Sequence, residues 1–240
     1  MPVEWLMDSW RHAAAALVDD LRRVFAGRLR ALVTYGPRIE GEADSPLTCL
    51  ALVDSLGVSD LEACARLTQQ WERQGLAIPL ILPHEEFRRS LDAFPLEYTE
   101  ILRAHERVFG TDPFDGVSIS REDLRRACET QVTSHLLHLR ESFIETRGRP
   151  QAIADLVCTS APAFAALLRS VARLNGGGST VRADATRDGA RAAGLADTIV
   201  ADVLALDRPS TIQTTDAARL FPQYLAAVEQ LARAVDSWRA

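Results

Sequence analysis

The sequence predicts an α+β protein, with a small mixed sheet flanked by helices in the first half and only helices in the second. Three observations predict this fold class. Two short apolar runs follow an amphipathic N-terminal segment, a third apolar run follows a second helical segment, and helical periodicity continues after the turn at 111–116. The predicted domains are therefore residues 1–116 and 117–240.

The first half begins with a predicted helix over 4–26, whose apolar residues recur every three or four positions and which Gly27 can end. Two apolar runs, Leu29–Tyr35 and Leu47–Val53, then predict two strands separated by a polar turn. Because both runs lack regular polar alternation, we expect helices to cover the sheet on two faces.

Further along, Ser59 or Asp60 can cap a helix that Gly75 would end. The run Leu76–Leu82 predicts a third strand, and Pro79 within it favours an edge position or a ladder defect. The segment 94–110 is ambiguous, and its apolar residues predict two short strands, Leu96–Ile101 and Arg107–Phe109.

In the second half, Ser120 and Asp123 resemble a capping box that opens a long helix to about Arg147. Pro162 is typical of a helix start. The remaining predicted helices cover 150–158, 162–174, 182–193, 195–206 and 216–238.

Composition narrows the function classes. No uninterrupted apolar run of about 18 residues occurs, and the acidic start does not resemble a secretory signal, so a cytoplasmic protein without a membrane span is predicted. The four scattered cysteines predict reduced thiols. A net charge of −6 argues against a nucleic-acid partner, although a local arginine cluster could hold one phosphate-bearing ligand.

The segment LVTYGPRIEGEADSPLTCLALV at 32–53 resembles the nucleotidyltransferase superfamily, in particular its kanamycin-nucleotidyltransferase and minimal-nucleotidyltransferase members. In that family an apolar strand leads to Gly-Ser, a second glycine and a strand that carries Asp-x-Asp. Gly36 and Gly41 match the family's glycine spacing. The resemblance implies a nucleotidyltransferase-like sheet followed by a helical domain that covers a nucleotide cleft.

In the same alignment, the residues that bind metal in the family are replaced. The family's serine, which binds triphosphate through its hydroxyl and the nearby backbone amides, is Pro37 here, and the two metal-binding aspartates align with Pro46 and Thr48. The third carboxylate falls near Ala77 or Pro79. Two-metal phosphoryl transfer needs hard oxygen ligands, which proline and alanine cannot supply. The sequence therefore predicts no catalytic residues, no metal and no cofactor, and Mg²⁺ only if other carboxylates have replaced the missing ones.

Two alternative metal sites are weaker. Asp44 lies before the second strand and Asp54 ends it, so these carboxylates could form a displaced site, whereas a solvated loop is the simpler interpretation. His135 and His138 are three residues apart on the long helix, a spacing that also occurs in metal sites. One partly buried and one exposed histidine is the simpler interpretation there.

The predicted function is that of a degenerate nucleotidyltransferase relative that acts by binding a nucleotide-like small molecule or a protein partner. The candidate ligand-binding residues are Gly36, Arg38 and Gly41. The alternatives are an active nucleotidyltransferase with displaced metal carboxylates, and a structural or oligomerisation protein whose helical half forms a homodimer.

Overall fold

The structure is a computed structural model that describes residues 3–177, 179, 181–206 and 214–238. The chain forms two compact units, Met1–Ile119 and Ser120–Ala240, called here the N-terminal and C-terminal units. The elements of the N-terminal unit are α1 (Val3–Phe25), a short 3-10 turn (Ala26–Arg28), β1 (Leu29–Tyr35), β2 (Thr48–Val53), α2 (Val58–Ala65), α3 (Thr68–Arg73), β3 (Leu80–Pro83), α4 (His84–Ser90), α5 (Pro95–Arg103) and β4 (His105–Gly110).

The four strands form one mixed sheet in the order β3-β2-β1-β4. β1 is antiparallel to both β2 and β4, and β2 is parallel to β3, so β2, β3 and β4 share one direction. The sheet therefore has two distinct ends. The loop end holds the β1–β2 loop (residues 36–47) and the start of β4, and the carboxyl end holds the residues that follow β2, β3 and β4.

Both faces of the sheet are buried, as the unbroken apolar strands predict. On one face, α1 packs Leu17, Leu21 and Phe25 against β1 and β2. On the other face, the buried strand residues pack against Phe87, with Tyr98 and Phe114 in edge-to-face contact with its ring at 5.3 Å. Two-sided burial of this kind is what favours continuous apolar strands over alternating ones.

A buried carboxylate links α1 to α3. Asp20 is 2% exposed, and it accepts hydrogen bonds from the Trp71 indole N–H at 3.0 Å and from Gln70 at 3.1 Å. Arg23 donates to its other oxygen at 2.5 Å. Because a buried charge is tolerated when its hydrogen bonds are satisfied, this contact stably joins α1 to α3.

Three predictions for this unit were wrong in detail. The segment predicted as a strand at Leu96–Ile101 is the helix α5, which Pro95 begins and which buries Leu96, Tyr98 and Ile101. The third strand is shorter than predicted because Pro79 lacks an N–H, and Leu76 forms only an isolated bridge to Leu47. The helix predicted through 61–74 is interrupted, giving α2 and α3.

Other predictions for the N-terminal unit are confirmed. Arg107–Phe109 lies within β4, and Gly75 adopts a positive φ of 74° after α3. A fourth prediction, a cap at Ser59 or Asp60, was wrong: Gly57 is the N-cap of α2, and the Asp60 carboxylate accepts a hydrogen bond from the Gly57 N–H at 3.0 Å.

All the regular elements among the described residues of the C-terminal unit are helices. Ser120 caps the first of its helices, since its hydroxyl accepts a hydrogen bond from the Asp123 N–H at 3.0 Å, as predicted. Its helices are α6 (Arg121–Glu145), α7 (Pro150–Leu174), α8 (Arg182–Ala192), α9 (Asp197–Leu206) and α10 (Thr214–Ser237).

α7 is one continuous helix, although Pro162 was predicted to start a separate one. Pro162 is exposed, and the buried face continues through it from Val157 to Phe164 and Leu168, which are fully buried. By length and composition alone α7 could cross a membrane, but α6, α8, α9 and α10 pack against it. Burial of a continuous apolar face thus outweighs the proline, and α7 is the core helix of this unit.

The four cysteines carry free thiols, as predicted.

Candidate functional site

The β1–β2 loop at the loop end is closed by its own backbone. Gly36 and Gly41 take positive φ values of 85° and 105°, which favour glycine. The N–H groups of residues 39–42 all donate to carbonyls of residues 36–38. The resemblance implied that backbone amides of this loop would bind phosphate, but these four amides are already used within the loop.

The three predicted ligand-binding residues therefore lie in one turn without converging on an open site. Gly36 and Gly41 flank the turn, and Arg38 spans it, donating from Nη1 to the Ser45 carbonyl at 3.1 Å. A Cβ at Gly36 would lie 2.7 Å from the Thr48 hydroxyl, so this glycine also allows β1 and β2 to approach each other closely.

A charged residue that sequence reasoning missed contacts the same loop. Arg103, the last residue of α5, forms an ion pair through Nη2 with Glu40, and its side chain is only 18% exposed. Its Nε and Nη1 atoms are buried and have no hydrogen-bond partner among the described residues. The only sequence signal was an arginine just after the apolar segment Leu96–Ile101, and that segment was predicted as a strand.

His105, two residues after Arg103, forms a hydrogen-bonded pair with Asp112. His105 contacts the Ile101 carbonyl through Nδ1 at 2.9 Å and the Asp112 carboxylate through Nε2 at 2.9 Å. Burial raises the pKa of Asp112, but hydrogen bonds from the Phe114 N–H and from His105 outweigh it and hold the pKa below its usual range. These contacts tie the start of β4 to the end of α5 and to the segment after β4, and His105 lies opposite Tyr35 of β1 in the sheet.

The positions that should hold the family's metals do not fit a divalent cation. Pro46 offers no side-chain oxygen, and the Thr48 hydroxyl donates to the Tyr35 carbonyl at 2.5 Å. Ala77 and Pro79, aligned with the third carboxylate, also lack a ligand oxygen. Within the described part of the chain, no three His, Cys, Asp or Glu side chains form a group that could bind a metal ion.

Nor does the structure bring together the two candidate replacement carboxylates. Asp44 precedes β2 at the loop end, whereas Asp54 follows it at the carboxyl end, where it is paired with the Arg30 Nε at 2.5 Å. A six-residue strand rises about 20 Å, far beyond the span of one metal site.

The two histidines of α6 also have separate environments, in agreement with the simpler interpretation. His135 Nε2 lies 3.0 Å from the Tyr224 hydroxyl, and its ring stacks on Phe164. Burial lowers the pKa of His135. His138 is exposed and contacts Glu141 at 3.3 Å.

Several arginines along α6 are paired with acidic neighbours, which favours a solvated face over an arginine cluster that holds a phosphate-bearing ligand. Arg125 pairs with Glu129 at 2.7 Å, and Arg126 pairs with Asp123 at 2.7 Å. Further along the same helix, Arg140 forms an ion pair with Glu229 of α10 at 2.7 Å.

Comparison with known proteins identifies the fold. The sequence matches no family model and no curated protein. Among solved structures, the chain is similar to a crystal structure of the spectinomycin adenyltransferase AAD(9) from Enterococcus faecialis with ATP and spectinomycin. The TM-score is 0.60 and the identity 13%, with coverage of 94% of this chain and 99% of that chain. At this identity the likeness shows the fold alone: the chain has a nucleotidyltransferase-like fold.

Proposed function

We propose that this protein binds a phosphate-bearing, nucleotide-like ligand at the loop end of its sheet, without the two-metal chemistry of nucleotidyl transfer. The observation that carries the proposal is the Arg103 guanidinium, which has two buried N–H-bearing atoms without hydrogen-bond partners among the described residues. An unmade buried hydrogen bond costs about 1–3 kcal/mol, so a ligand that accepts from these groups is favoured.

Phosphate is the chemistry that best suits such a group. Guanidinium–phosphate hydrogen bonds are charge-assisted and about twice as strong as neutral ones. The backbone N–H groups of residues 39–42 already donate within the loop, and Pro37 has no N–H. The positive charge of the Arg103 side chain therefore replaces the backbone donors that, by the resemblance, would bind phosphate. Glu40 holds Nη2 of Arg103, which keeps the guanidinium in place.

Metal-dependent transfer has less support. The aligned positions lack carboxylates, and Asp44 and Asp54 lie at opposite ends of β2. A nucleotide remains the first ligand to test because AAD(9), whose fold this chain shares, was solved with ATP. A protein partner is the alternative occupant if nucleotides fail to bind.

The deciding experiment is isothermal titration of the full chain with ATP, CTP and GTP in EDTA and again in Mg²⁺. We expect binding that is equal in the two buffers. The double variant E40Q/R103Q should abolish it while retaining the wild-type circular dichroism spectrum, since both partners of the ion pair become neutral amides. R73Q, an exposed arginine on α3, serves as the matched control.

Two outcomes would overturn the proposal. Binding or turnover that requires Mg²⁺ and disappears in D44A or D54A would establish the enzyme with displaced carboxylates. If none of the three nucleotides binds in either buffer, the nucleotide-like ligand is excluded and a protein partner becomes the explanation of the retained fold.

A further inference from the structure

The long helix α6 carries a second regular stripe of residues on its exposed side. Its buried side belongs to the core of the C-terminal unit, where α6 contacts α7 and α10. On the other side, residues recur at alternating steps of four and three, which is the spacing of helices that pair with another helix. The six members of this exposed stripe are all exposed to solvent: Arg126, Thr130, Thr133, Leu137, Arg140 and Ile144.

Two large apolar residues anchor the exposed stripe. Leu137 and Ile144 are 54% and 75% exposed. They border a groove of about 1040 Å³ whose described lining residues all belong to α6. Small-molecule sites enclose most of the surface of their ligand, which a groove lined by one helix cannot do, whereas a second helix can lie along its whole length. A helix is therefore the occupant that this groove fits.

The exposed stripe is complementary to itself when a second copy of α6 runs antiparallel to it. One two-fold axis at the middle of the stripe gives every member a partner in the second copy: Leu137 meets Thr133, Thr130 meets Arg140, and Arg126 meets Ile144. At the centre, threonines face the larger leucine and arginine side chains, so the two helices can approach closely. Toward the ends, the apolar stem of the arginine covers the exposed isoleucine.

Charge favours the antiparallel direction over the parallel one. In a parallel pair, Arg126 and Arg140 would each face the same residue of the second copy, and like charges in contact destabilise an interface. In the antiparallel pair, Arg140 lies within reach of Glu129 of the second copy, and the two-fold axis makes this ion pair twice. Arg140 contacts Glu229 through Nη2, and a guanidinium has further N–H donors for a second carboxylate.

We infer that the protein forms a symmetric dimer in which the exposed stripe of α6 packs antiparallel against the same stripe of a second copy. The match of side-chain size and charge under one two-fold axis selects a second copy over an unrelated helix. The dimer is independent of the proposed ligand site, because the stripe belongs to the C-terminal unit and Arg103 to the N-terminal unit. One helix pair is a small interface, so we expect association in about the micromolar range.

The first test measures the mass of the full chain in the absence of nucleotide. Light scattering at about 100 µM should give twice the chain mass of 26.4 kDa. L137D places a carboxylate beside the two-fold axis in both copies, so it should weaken association at least about 100-fold. Its circular dichroism spectrum should not change, because Leu137 is exposed.

The matched control is L61D, since Leu61 of α2 is 50% exposed and lies outside the stripe. This variant should associate like the wild type. A monomeric wild type at about 100 µM, a dimer that L137D leaves intact, or an equal loss in L61D each overturns the inference.

The second test determines the direction of the two helices by cross-linking. It uses a C158S background, which removes the native cysteine that is not fully buried. Ser134 lies beside the two-fold axis, so a short bis-maleimide should link two copies of S134C. In E122C, the control, the two thiols would be about 40 Å apart along antiparallel helices and should not be linked.

Either of two results contradicts this arrangement. Cross-linking of E122C as efficiently as S134C would indicate parallel helices. Failure of S134C to cross-link in a sample that light scattering shows to be dimeric would place the dimer interface on another surface.

Discussion

The two ends of the sheet distribute their charges differently. At the loop end, where the fold's metal site should lie, the aligned positions hold Pro46 and Thr48, and a largely buried arginine, Arg103, contacts the loop through Glu40. At the carboxyl end, the acidic residue Asp54 lies in an open depression beside His84.

This difference shows that a protein can keep the backbone of a fold without keeping the side chains that the fold's usual active site requires. The strands and turn of the loop end remain, because glycine conformations and buried apolar residues maintain them. The side chains that would bind metal there are gone, and Asp54, which directly follows β2, lies about one strand length away. The predictions that follow test whether each end behaves as its charges indicate.

The largest expected effect is on the carboxyl end. G110A should lower the free energy of unfolding by about 3–5 kcal/mol, because the new methyl group meets the Arg30 carbonyl and the backbone has a positive φ. Urea denaturation measures it. G41A is the matched control: its φ is also positive, but nothing lies within 4 Å, so about 1–2 kcal/mol is expected. Equal losses in the two variants would show that the close contact of β1 and β4 is not rigid.

The next prediction compares two arginines. R103Q should weaken ATP binding about 100-fold, since it removes a buried guanidinium that has donors available for phosphate. R30Q should leave ATP affinity within about twofold, because Arg30 lies at the opposite end of the sheet, about one strand length away. Isothermal titration in EDTA distinguishes them. If R30Q loses more ATP affinity than R103Q does, the anion site lies at the carboxyl end and the prediction is wrong.

A smaller effect is expected at the turn of the loop end. G36A should lower the free energy of unfolding by about 2 kcal/mol, from its φ of 85° and from contact with the Thr48 hydroxyl. In a double-mutant cycle with T48A, a coupling of about 0.5–1 kcal/mol should recover part of this loss. Strict additivity would mean that the contact between the two residues contributes nothing.

The smallest effect concerns acid stability at the carboxyl end. Hydrogen bonds from Arg28 and from the Gly57 N–H lower the pKa of Asp60 to about 2. Because the folded-state pKa is depressed, the ion pair stabilises the fold above the ordinary aspartate pKa and is lost as the pH falls from about 4 to about 2. D60N should therefore be less stable than the wild type at pH 6, with the difference vanishing near pH 2 in denaturation curves. A difference independent of pH would contradict it.

Much of the architecture followed from the sequence alone. Apolar periodicity and turn residues predicted α1, β1, β2 and the Ser120 cap, because these signals are local and lie within a few residues of each other. The same local comparison identified Gly36 and Gly41 and the substitutions at Pro46 and Thr48. The absence of an Asp-x-Asp pair needed no coordinates, since no folding can place carboxylates where the chain has none.

Only the tertiary structure decided the rest. The segment 96–101 became a helix because its apolar residues pack around Phe87, and α7 continued through Pro162 because its buried face does. Arg103 forms an ion pair with Glu40, which is 63 residues away in the sequence. Asp54 pairs with Arg30 and does not contribute to a metal site. Such contacts depend on which surfaces meet when strands pair and helices pack, and that information is not contained in any short window of sequence.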